Sequence, residues 1–147
     1  MGGRAAGDPP LESGHPQVTA FVDTNVLIRH LTGDPPDQAV RATRYLAAAE
    51  DLLLPDLIVA DIAYVLESYY EVAREQVAAT LRAVLAFPAI RVLDAELLQR
   101  TVEVYDVERL DFADAYLVAS AERTGVGIIA SFDQGIDRMS TVRREEP

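Results

Sequence analysis

Apolar residues along this chain fall into short unbroken runs that alternate with longer stretches repeating every three or four positions. The runs at 19–23 ("TAFVD"), 52–55 ("LLLP"), 89–93 ("AIRVL") and 127–131 ("GIIAS") read as strands. Helical spacing covers roughly 24–31, 36–49, 56–70, 74–86, 94–105 and 111–124. The punctuation agrees: "TGDPPD" breaks the chain, and Pro35 and Pro36 suit the first turn of a helix. Pro55 stops a strand, and Gly125 suits a helix C-cap. "STVRR" (140–144) reads as a last edge strand. Short strands alternating with helices predict an α/β chain, a three-layer α/β/α fold with a central, mostly parallel sheet.

At 147 residues the chain is long enough for one domain with a proper core. Residues 1–17 are rich in Gly and Pro and carry no apolar segment, so a disordered tail is expected there, followed by one domain over 18–147. No run of about 18 apolar residues exists to span a membrane, and a cytoplasmic protein is expected.

Charge narrows the chemistry. The formal net charge is -11 and every basic residue is Arg. Without lysine there is no P-loop and no Schiff base. Without cysteine there is no disulfide and no thiolate metal site. The two histidines, His15 in the tail and His30, leave no serine triad and a poor donor set for zinc. An acidic chain is also a poor passive nucleic-acid binder.

Four acids stand out. Asp23 closes the first strand and Asp133 follows the "GIIAS" strand, at the sheet edge where open parallel sheets bind ligands. Each has a plainer reading, Asp23 as a helix cap and Asp133 as a loop acid. Asp61 has Leu57, Ile58, Tyr64 and Val65 at helical spacing, which puts it on an apolar stripe. Asp114 sits likewise among Leu110, Leu117 and Val118. Glu67, beside Glu71, is expected at the solvated surface, and Asp111 near a helix start, where the dipole favours an acid. Salt bridges could satisfy any one of the four. Converged, they would repel one another, and Mg²⁺ or Mn²⁺, which prefer carboxylate oxygens, would relieve that conflict.

Four segments, "FVDTNVLIRHLTGD", "LIVADIAYVLESYY", "LDFADAYLVASAE" and "IIASFDQGI", resemble the PIN-domain ribonucleases, in particular VapC-type toxins, over roughly 19–140. The resemblance implies an endoribonuclease dependent on Mg²⁺ or Mn²⁺, the toxin of a toxin–antitoxin pair, that hydrolyses structured RNA such as tRNA. It makes Asp23, Asp61, Asp114 and Asp133 catalytic, with metal on Asp23, Asp114 and Asp133. Asn25 and Ser131 would position substrate or water. The implied partners are RNA, a cognate antitoxin and a second copy of the chain, with Tyr69 or Tyr70 at that interface or packed in the core. The family usually carries Glu where this chain has Asp61, a side chain shorter by one C–C bond, about 1.5 Å. Arg29, Arg41, Arg44, Arg74, Arg143 and Arg144 are candidates for phosphate contacts. Two rival readings remain: a catalytically weak or silent PIN-like binding module, and an RNA-processing nuclease that is not a toxin.

Overall fold

The computed structural model describes residues 19–147, so the tail expected over 1–17, with His15, lies outside the described residues. The chain runs β1 (Thr19–Phe21), α1 (Thr24–Thr32), α2 (Pro36–Ala48), β2 (Asp51–Leu53), α3 (Asp56–Ser68), α4 (Arg74–Ala86) and β3 (Ile90–Arg91). It continues through α5 (Ala95–Glu103), a wide π turn (Val104–Glu108), α6 (Phe112–Thr124), β4 (Ile128–Ala130), a 3-10 turn (Gln134–Arg138) and β5 (Arg143–Glu145).

Local chemistry sets several of these limits. The Asp23 side chain accepts the Thr24 N–H at 2.7 Å and starts α1, which ends at Gly33 with φ 73°. Asp23 is therefore the cap, the plainer of its two readings from sequence. Pro36 opens α2, and Gly125 closes α6 with φ 78°, as its sequence context predicts.

Every strand pair is parallel. Thr19 lies opposite Asp51, Leu52 opposite Ile90, and Ile128 opposite Arg143. The layered α/β class is as expected, but the strands form two sheets, β1-β2-β3 and β4-β5. Strands of two or three residues supply few ladder hydrogen bonds, so helix packing carries the core. Val59, Ile62 and Leu66 of α3, Val77 and Leu81 of α4, Leu98 and Val102 of α5, Val118 of α6, and Leu52 and Leu54 at β2 belong to one buried cluster. Each fully buried Leu or Ile of this kind is worth roughly 1.5–3 kcal/mol.

The buried face of α3 corrects one expectation. Val59, Ile62, Ala63 and Leu66 point into the core, whereas Leu57 is 77% and Tyr64 66% exposed. Helix α3 is apolar on two faces, and the one bearing Asp61 faces out. Phe21 and Leu93 are exposed as well and line a groove of about 630 Å³ at the end of the first sheet.

After α5 the backbone widens, and Arg74 holds the widened segment. Its Nη1 donates to the carbonyls of Tyr105 and Leu110, both at 2.7 Å, while its guanidinium lies 4.4 Å from the centre of the buried Tyr105 ring. Arg74 is thus a structural clip and not a free phosphate contact. Among the described residues, no helix is long and apolar enough to cross a membrane.

Candidate active site

Two acids meet at the start of α1. Asp23 is spent on the helix cap, and the next side chain, Thr24, is buried with its hydroxyl donating to Asp61 Oδ2 at 2.7 Å. α1 packs against α3, and that contact brings a hydroxyl adjoining the first acid onto the second. Asp61 stays exposed beyond this bond, so its carboxylate is oriented without being dehydrated.

The other two acids meet at the start of α6. Asp114 lies in the first turn of that helix, partly buried, with its carboxyl hydrogen-bonded to Asp133. Burial pushes the Asp114 carboxyl up to about 6, helped by the hydrogen bond to Asp133 and by the charges of Asp133 and Asp111. Asp133 moves the other way. The hydrogen bond from Asp114 holds it below the ordinary carboxylate range, assisted by the Gly135 N–H and by the charges of Arg138 and Arg144. Below about pH 6 a proton on Asp114 bridges to Asp133; above it both carboxyls are ionised.

The structure therefore gathers the four acids into two pairs, Asp23 with Asp61 through Thr24, and Asp114 with Asp133 directly. Among the described residues no three acids or histidines stand close enough to hold one ion together, so the expected four-acid convergence is not present. The donors are nonetheless hard carboxylate oxygens, and Mg²⁺ is usually held by one or two carboxylates with retained waters. The Asp114–Asp133 pair fits such an ion, because it already needs a positive charge between its oxygens.

The supporting residues divide by role. Ser131 accepts the Asp133 N–H at 2.9 Å and shapes the loop, while Asp133 Oδ1 accepts the Gly135 N–H at 2.8 Å. Asn25 is exposed and shares with Asp23 a cleft of about 580 Å³. Glu67, expected in solvent, instead accepts a hydrogen bond from the hydroxyl of buried Tyr105, because the π turn delivers that ring to α3. Arg144 is committed to Asp137, Glu146 and the Ser131 carbonyl, and Arg143 pairs loosely with Glu145 at 3.6 Å. Tyr69 and Tyr70 form an edge-to-face pair 4.8 Å apart; Tyr69 is exposed and Tyr70 donates to Asp34. Nothing in the sequence singles out Thr24 as a site residue, since its link to Asp61 spans 37 positions that no local pattern joins.

The sequence model of the PIN domain family matches residues 20–142, and the chain belongs to that family. No curated protein sequence matches the chain. Among solved structures, one similar chain comes from the crystal structure of VapBC2 from Rickettsia felis bound to a DNA fragment from their promoter. Its identity is 13%, with 88% of this chain and 98% of that chain covered and a TM-score of 0.35.

Proposed function

We propose that this chain is an endoribonuclease dependent on Mg²⁺ or Mn²⁺, acting on structured RNA as the toxin of a toxin–antitoxin pair. PIN domains are in general nucleases, and the observation that carries the reading is the Asp114–Asp133 pair. Two carboxyl groups in contact, one of them partly buried, are kept together at a sheet edge although the pairing costs stability. That arrangement suits a divalent cation.

When bound, the ion would supply an acidified water and neutralise charge building on the scissile phosphate. Asp114 and Asp133 would hold it, with Asp133 fixed by the Gly135 N–H and its loop by Ser131. Asp23 would add negative charge at the end of β1. Asp61, turned by the Thr24 hydroxyl, would accept a proton from water. Asn25 offers an amide N–H to a phosphate oxygen. A net charge of -11 suits a basic antitoxin segment, and the exposed Tyr69 suits a second copy of the chain. The pair would act in the cytoplasm.

The test is cleavage of total tRNA and synthetic hairpins with Mg²⁺ or Mn²⁺, with and without chelator. Cleavage that disappears with chelator and in Asp23→Asn and Asp114→Asn supports the reading. Growth arrest on expression, relieved by a small co-expressed partner, would support the toxin assignment. A second reading, a catalytically silent PIN module, is favoured by the separation of the acids into two pairs and by the shorter Asp61. Metal binding without cleavage across a broad RNA panel would leave that one standing.

A further inference from the structure

Most arginines among the described residues are occupied. Arg82, Arg91, Arg100 and Arg123 meet carboxylates, as do three others, while Arg74 and Arg138 donate to backbone carbonyls. Arg29, Arg41 and Arg44 meet neither among the described residues, and all three lie on α1 and α2. Arg29 donates only to the neutral Gln38 side chain.

Two of these guanidinium groups face the same space. The cleft of about 580 Å³ is lined by Asp23, Asn25 and Arg29 from α1 and its cap, and by Gln38, Arg41 and Tyr45 from α2. Gln38, Arg41 and Tyr45 follow one another at helical spacing and share a face of α2. Tyr45 is 49% exposed there, and Phe21, also on the lining, is 74% exposed. Elsewhere this acidic chain would repel a phosphodiester strand. Here cationic groups without anionic partners among the described residues stand beside aromatic faces on which bases can stack, the pairing that single-stranded nucleic acid requires.

We propose that the α1–α2 cleft binds a single-stranded RNA segment next to the scissile bond, with Arg29 and Arg41 on phosphates and Tyr45 stacked on a base. The proposal rests on the ribonuclease reading, because Asp23 at the cleft wall ties the bound strand to the acids. Gln38 holds Arg29 in place as a positioning residue.

The experiment is fluorescence anisotropy of the full chain with an end-labelled, unstructured 12-nucleotide RNA, in EDTA to prevent turnover, across a salt series. In Arg29→Ala/Arg41→Ala, the slope of log affinity against log salt should fall by about 0.7 per arginine. Tyr45→Ala should weaken binding by at least about fivefold, and Tyr45→Phe should restore it. No binding by the unmodified chain, or an unchanged slope in the double variant, would overturn the proposal. So would tighter binding of DNA of the same sequence, or displacement by polyglutamate as readily as by RNA. The ribonuclease reading is scored separately, by Mg²⁺-dependent cleavage. Cleavage with variants that bind normally sinks only the cleft. Binding lost in the variants, with no cleavage by the unmodified chain, sinks only the enzyme.

Discussion

Replacing Asp114 by Asn removes an ionisable carboxyl and keeps a donor for the hydrogen bond to Asp133. The wild-type carboxyl is raised from 3.8 to about 6. Counted in full at about 1.36 kcal/mol per pH unit, ionising it would cost the fold about 3 kcal/mol. The side chain is only partly buried, and solvent screening reduces that to roughly 1–2 kcal/mol. The sign follows from proton linkage. The folded carboxyl keeps its proton to higher pH than the unfolded one, so this group favours the fold least above pH 6 and ceases to penalise it near pH 4. Asp114→Asn should therefore be more stable than the unmodified chain at pH 7.5, by roughly 2–8 °C in Tm for a domain of this size. Near pH 4 the difference should vanish. Thermal unfolding by circular dichroism in EDTA, over a pH series, measures both. Added MgCl₂ should raise the Tm of the unmodified chain and leave the variant unmoved. A variant less stable at pH 7.5, or a difference that does not change with pH, would refute the shared-proton account of the pair.

Arg74→Ala leaves the carbonyls of Tyr105 and Leu110 without their donor and removes the cation from the Tyr105 ring. With charged hydrogen bonds worth about 1.5–3 kcal/mol, a loss of roughly 3 kcal/mol is expected by urea unfolding, and a loss below about 1 would deny the clip. Gly125→Ala should cost about 1 kcal/mol, because φ is 78° while no atom lies within 4 Å of an added Cβ. A loss several times larger, read by the same unfolding, would show crowding that the structure lacks. Asp61→Glu extends the carboxylate by about 1.5 Å toward the reach usual in the family. Faster Mg²⁺-dependent cleavage is expected, and a silent module would show no change in any rate.

The helices were legible because their stops are local. Arg74–Ala86 and the Gly125 terminus follow from spacing and from one residue's conformational freedom. The segment expected to stay helical to Tyr105 instead ends at Glu103 and widens. Arg74, some thirty positions earlier, donates to two carbonyls of this widened region, a partner that no local pattern reveals. The division into two sheets was equally hidden. Alternation of strands and helices implies parallel pairing, and every pair is parallel, but it does not determine which neighbours close the ladder.

At the site, residue types were legible and their company was not. Helix α3 carries two apolar faces, and periodicity cannot choose between them; packing against α1, α4 and α6 buries the face of Ile62 and leaves Leu57, Tyr64 and Asp61 outside. Glu67 looked solvated until the π turn brought Tyr105 to it. The same dependence on distant contacts explains how four acids coexist without a lysine. The fold divides them: the Thr24 hydroxyl donates to Asp61, and below about pH 6 the Asp114 carboxyl donates to Asp133. Hydrogen bonds within the protein thus ease the repulsion, fully so only while Asp114 keeps its proton. A cation entering either pair competes with those bonds, so affinity depends on how readily Thr24 and the shared proton let go as well as on the acids themselves.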